Sequence, residues 1–119
     1  MKLLEIMNAR QVIGEIAHQA TNVKLAYKLA KFMSVTQPDY DFYSKAYKEN
    51  VEKFEGKITE NGLEFTKEKA ELFNAAIQEV QETEAVDPEI RFDLSDFSAN
   101  MQVSTQQIYL LLPFIKDAE

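Results

Sequence analysis

One apolar stripe constrains this chain more than any other feature. Leu25, Leu29, Met33, Thr36, Tyr40, Tyr43, Tyr47, Asn50 and Phe54 recur at steps of three or four residues. That is the period of one helix face. The stripe keeps its phase through Pro38. Inside a helix, proline removes a hydrogen bond and clashes with the preceding turn, at a cost of about 3 kcal/mol. At the start of a new helix it is well suited. The stripe therefore predicts either a long kinked helix or a helical hairpin that folds back at Pro38. The unbroken phase favours the kinked, continuous helix.

The flanking sequence supplies punctuation. Asn8 and Gln11 read as an N-cap and its partner, opening a helix over about 9–19 that buries Val12, Ile13, Ile16 and Ala17. Thr21 and Asn22 cap the long helix. Gly56 suits the C′ position that ends it. Residues 57–65 predict a β-hairpin with Asn61-Gly62 in a type I′ turn. Thr66 caps a helix over about 67–83, with Ala70, Phe73, Ala76, Ile77 and Val80 inward. Ile90, Phe92 and Leu94 alternate with Arg91 and Asp93, which predicts a strand over about 90–94. Met101 and Val103 alternate in the same way and read as a short strand. Ser104 and Gln107 form a capping box that opens a last helix, from 105 to about 116. The expected fold is a single α+β domain, mainly α-helical. Its small antiparallel sheet joins the 57–65 hairpin to the 90–94 strand.

Composition narrows the functional classes. A chain of 119 residues with 45% apolar content fits one domain with a modest core. The longest apolar run covers residues 108–115, far short of the ~20 a membrane span needs. The segment Met1–Met7 meets Asn8, Arg10 and Gln11 too early for a signal h-region. The chain contains no cysteine, so thiolate chemistry and disulfides are excluded. These features fit the cytoplasm. The net charge of −7 is uneven: residues 1–35 carry five bases against two acids, and residues 60–100 carry three bases against eleven acids. Direct nucleic-acid binding is disfavoured, because phosphates need a basic surface.

Nothing in the sequence assembles a catalytic, cofactor or metal site. His18 is the sole histidine, and no cysteine joins it. It reads as a structural residue at a helix end. The pairs Asp39/Asp41 and Asp93/Asp96, and the run Glu79, Glu82, Glu84, Asp87 and Glu89, read as solvated faces or turn caps, Asp96 over the turn Phe97-Ser98. None has the spacing of a calcium loop. Gly14, Gly56 and Gly62 are too scattered for a phosphate loop. No serine lies in a nucleophile elbow. An enzyme is not expected, and no cofactor is implied.

Two surfaces hold more promise. The first surrounds Pro38, where Tyr40, Tyr43 and Tyr47 follow the stripe while Val35 and Phe42 point away from it. Val35 and Phe42 are either covered by another element or exposed as anchors for a protein partner. The second is the last helix, where Ile108, Tyr109, Leu110, Leu111, Leu112, Phe114 and Ile115 leave no polar face. Burial on one side and an oligomer or partner contact on the other is the expectation there. The acidic residues Glu82, Glu84, Asp87 and Glu89 form a third candidate, as steering charge for a partner or as a nucleic-acid mimic.

The segment Asn22-Val23-Lys24-Leu25-Ala26-Tyr27-Lys28-Leu29-Ala30-Lys31, the Asn-Gly turn, the stretch Phe92-Asp93-Leu94-Ser95-Asp96-Phe97 and Val103-Ser104 before an apolar helix form a recognisable pattern. It resembles a family of small proteins of unknown function from phages and prophages of Gram-positive bacteria. The likeness covers nearly the whole chain and rests on capping and packing positions. That family is richer in Lys and Glu along the long helix, where this chain is aromatic. The resemblance implies phage origin and a host-cytoplasm setting, with no catalytic residues. The functional expectation is a non-enzymatic accessory protein that binds, and modulates or inhibits, a host or defence protein. A virion structural or assembly role is the alternative, and an acidic nucleic-acid mimic a further one.

Overall fold

A computed structural model describes residues 1–97 and 100–116. Ser98, one end of the turn assigned to Asp96, lies outside them. Among the described residues five α-helices carry the fold: α1 (Leu3–Ile16), α2 (Val23–Val35), α3 (Gln37–Lys53), α4 (Lys67–Gln81) and α5 (Thr105–Leu111). One antiparallel hairpin, β1 (Lys57–Thr59) and β2 (Gly62–Glu64), lies between α3 and α4. The architecture is mainly-α α+β, as the sequence predicts. No helix among the described residues is long and apolar enough to cross a membrane.

The long stripe bends at a single residue. Thr36 alone separates α2 from α3. An antiparallel helical return needs a loop of about two to five residues, so the chain kinks here and does not fold back. Pro38 stands in the first turn of α3, where its missing N–H costs little. The ladder runs on around it: the Thr36 N–H donates to the Phe32 carbonyl at 3.0 Å and the Tyr40 N–H to the Thr36 carbonyl at 3.1 Å. This explains why the phase survives the proline.

The core lies beneath the first half of the stripe. Ile6, Ala9, Val12, Ile13 and Ile16 of α1 pack with Leu25, Leu29 and Phe32 of α2. Ile90, Phe92, Leu111 and Phe114 close the cluster, with Phe114 edge-on to Phe32 at 4.9 Å between ring centres. The second half of the stripe makes a smaller seam. Tyr47 meets Phe73 edge-on at 5.5 Å, and Phe73 stacks on Phe65 at 4.4 Å. Phe73 and Ile77 are the buried residues of α4, and Ala70, Ala76 and Val80 are half-buried beside them.

Several local expectations are corrected. The first helix starts at Leu3, because the apolar period extends back through Ile6 and Leu3. The Glu5 carboxylate accepts the Lys2 N–H at 2.9 Å, so Asn8 is interior and caps nothing. The chain tightens to a 3-10 turn over Ala17–Gln19, which carries Ala17 to the surface. Asn22, Thr66 and Ser104 cap α2, α4 and α5 as their spacing requires. The last helix is shorter than expected, because Pro113 falls in a 3-10 turn over Leu112–Phe114.

Gly56 is not the left-handed residue after α3; Glu55 is, at φ 57°. The Glu55 N–H donates to Glu52 and the Gly56 N–H to Val51, a Schellman closure with glutamate at C′. Gly56 is required for a different reason. A Cβ there would lie 2.7 Å from Cε1 of Phe65. The hairpin turn also differs, because Thr59 pairs with Gly62 and only Gly62, at φ 99°, has positive φ in the turn. Glu60 and Asn61 are therefore the central pair, and Gly62 fills the left-handed position that follows them.

The strand over 90–94 is absent from the sheet. Phe92 instead makes one parallel bridge to Ile115: its N–H donates to Phe114 and its carbonyl accepts from Lys116, both at 2.8 Å. Leu94–Asp96 is a 3-10 turn and Leu94 is exposed. Burial of Ile90 and Phe92 explains the alternation without a neighbouring strand. Met101 and Val103 are half-buried and form no strand. Asp96 does not serve as a surface turn cap. It is buried, accepting Lys28 Nζ at 2.6 Å and the Asp93 N–H at 2.9 Å.

Candidate functional site

The site begins with a cation on an otherwise apolar helix face. Ile6, Arg10 and Ile13 follow one another on the buried side of α1. Arg10 is only 9% exposed. Its Nη1 donates to the Met33 carbonyl at 2.9 Å and to Thr36 Oγ1 at 2.7 Å, and its Nη2 donates to Gln37 Oε1 at 3.1 Å. The guanidinium thus sits at the C-terminus of α2, where unpaired carbonyls and the helix dipole favour positive charge. Tyr40 lies over it, 4.8 Å from ring centre to Cζ. Burial pushes the Arg10 pKa down, while Tyr40, Asp41 and Asp39 push the other way. No carboxylate pairs with it among the described residues.

Above Arg10 lies an open groove of about 640 Å³. Leu4, Met7, Met33, Tyr40 and Tyr43 supply its apolar walls. Asn8, Gln11 and Gln81 supply polar groups at its edges. Apolar walls around few polar anchors are the usual make-up of a binding pocket, and the volume is within the usual range.

The sequence-predicted surfaces fall on and around this groove in different ways. Tyr40 lines it directly. Val35 and Phe42 are 45% and 53% exposed, so the alternative in which they are covered does not hold. Tyr47 is partly spent on Phe73. No residue of α3 is buried, although the helix has seventeen residues. Tyr109 on the last helix and Leu112 in the 3-10 turn after it are exposed and flank a second, smaller cleft of about 330 Å³. Leu110 borders that cleft but packs partly against the core. Asn8 borders both clefts, so α1 forms a shared wall.

The acidic candidates are less coherent. The Met1 amino group pairs with Glu84 at 2.7 Å, and this bond holds the Glu84 carboxyl below its ordinary range. Arg91 does the same for Asp87, with help from the Glu89 N–H. Glu82 and Glu89 are exposed, and Glu89 takes a positive φ of 59°. Among the described residues no group of three or more His, Cys, Asp or Glu side chains could hold a metal ion.

Sequence reasoning missed Arg10, Met7 and Gln37. A lone arginine at the i+4 position between Ile6 and Ile13 was the available signal. Its partner across the kink, Thr36, stands in the stripe itself as a polar member. No protein-family model, curated protein or solved structure matches this chain.

Proposed function

We propose that this chain is a phage-encoded, non-enzymatic accessory protein that works in the host cytoplasm by binding a host or defence protein and modulating or inhibiting it. The observation that carries this reading is α3, an aromatic helix with no buried residue. Tyr40 and Phe42 remain open on it, with Val35 just before the kink. Large exposed side chains on a rigid helix lose little entropy on docking and make strong interface anchors. The phage setting rests on the resemblance in capping and packing positions.

The mimic version has weaker support. It requires a coherent acidic field, whereas Glu84 and Asp87 are locally neutralised and Asp96 is buried. One observation favours the virion assembly alternative: Tyr109 on the last helix and Leu112 in the turn after it are 64% and 52% exposed. Affinity capture from infected cells, wild type against a Val35→Asp/Phe42→Asp variant, tests the main reading. A specific partner held by the wild type and released by the variant supports it. The chain found in purified particles, with no soluble partner, would decide for assembly.

A further inference from the structure

We propose that the groove over Arg10 receives an acidic side chain of the partner protein, an Asp or Glu flanked by apolar residues. This rests on the protein-binding reading above and names the chemistry of the segment that docks. A guanidinium carries five N–H donors. The three bonds to Met33, Thr36 and Gln37 leave Nε–H and one Nη2–H without an acceptor among the described residues. Among the described residues no fully buried side-chain polar atom lacks a partner, so the unbonded Nε is not sealed from solvent. Arg10 lines the groove, and Leu4, Met7 and Tyr43 flank it with apolar surface. A buried cation without a counter-ion is unfavourable, and a carboxylate brought to it makes charge-assisted bonds in a partly dry site.

The sequence at position 37 sharpens the argument. Gln37 Oε1 lies 3.1 Å from Nη2, where a glutamate would give an internal ion pair. The chain holds twenty acidic residues, yet a neutral isostere stands there. Gln37 instead passes its own amide hydrogen to Asp41 at 3.0 Å. The positive charge is thus held in place by neutral acceptors on the groove lining, with Asp39 and Asp41 near enough to favour it but neither paired with it. An apolar peptide would gain nothing from that charge, and a basic one would be repelled by it.

Panning a random-peptide display library on the folded protein tests this. Enriched peptides should carry one Asp or Glu beside apolar residues, and should shift the Arg10 Nε–H resonance. Replacing that acid by its amide should weaken binding at least tenfold. Gln37→Glu should weaken it at least tenfold while the protein melts no lower than wild type. Tyr40→Ala, which removes the ring and spares the three guanidinium bonds, is the second variant and should also weaken it. Enrichment of peptides without an acid, no enrichment, or acidic peptides indifferent to both variants would overturn the inference. A cellular partner that needs Val35 and Phe42 but binds Gln37→Glu as well as wild type would leave the protein-binding reading standing and remove this one.

Discussion

Arg10 on α1 reaches across 26 residues of sequence to Thr36 and donates to its hydroxyl at 2.7 Å. The same hydroxyl donates to the Phe32 carbonyl at 2.6 Å. One buried side chain therefore fixes the bend in the long helix and one wall of the groove. Thr36 is fully buried, so neither bond has water as a substitute.

Thr36→Val keeps the shape and removes the hydroxyl. One Nη1–H of Arg10 then loses its acceptor in a dry site. The expected loss is about 1–3 kcal/mol of stability. Thr36→Ser keeps both bonds and loses only a methyl, about 1 kcal/mol. Urea denaturation separates the two. Equal stability for the valine and serine variants would show that the hydroxyl does not pin the bend.

Gly56 and Gly14 should respond in opposite directions to an added methyl. At Gly56 an added Cβ meets Phe65 at 2.7 and 2.8 Å and Leu63 at 3.1 Å; Leu63 lies in β2 and Phe65 follows it, stacked on Phe73. Gly56→Ala should cost about 1–3 kcal/mol and raise amide exchange across residues 57–64. Gly14, inside α1, has nothing within 4 Å of such a Cβ. Gly14→Ala should gain about 0.5–1 kcal/mol. Thermal melts of both variants check the pair.

These cases show what the sequence made legible. Periodicity located the helices and most caps, because each depends on neighbours within a few residues. The α4 face and the Asn22 and Ser104 caps followed directly. Features set by distant packing were not legible. Gly56 looks like a helix stop but answers to Phe65. The alternation at Ile90, Phe92 and Leu94 looks like a sheet strand, yet Phe92 bridges only to Ile115 near the far end of the chain. Asp96 looks like a surface cap but is enclosed by Lys28, 68 residues away. The exposed candidates Val35, Phe42, Tyr109 and Leu112 were readable as departures from a stripe or as excess apolar surface. Arg10 and its groove depend on four helices meeting, which no local pattern encodes.

Asp96 sets an acid limit on stability. Burial alone would raise its pKa, but bonds from Lys28, the Asp93 N–H and Lys24 outweigh this and hold the carboxyl below its ordinary range. The folded value is thus lower than the unfolded one, about 3.9. The stabilisation is complete above that value and is lost as pH falls through the folded value. Glu55 beside Lys69, Glu84 and Asp87 shift in the same direction and add to the acid limb. Asp96→Asn should cost about 1–3 kcal/mol at neutral pH. It should also flatten the fall in stability below about pH 4. Urea midpoints across that range provide the measurement, and an acid slope unchanged from wild type would contradict the assignment.

The last helix separates core from surface within two residues. Leu110 is half-buried against the core cluster, whereas Leu112 is 52% exposed at the 3-10 turn. An aspartate at 110 must either drag its charge into apolar packing or pull the helix away, so Leu110→Asp should cost more than about 2 kcal/mol. An aspartate at 112 meets water, so Leu112→Asp should change stability by less than about 0.5 kcal/mol. Denaturation midpoints test both expectations. Sedimentation of wild type and Leu112→Asp over rising concentration then tests the assembly alternative by itself. A wild-type oligomer that Leu112→Asp dissolves without unfolding would place self-association on the Tyr109–Leu112 face. A wild type monomeric at every concentration would leave that face without a symmetric partner, and the aromatic surface of α3 as the stronger candidate.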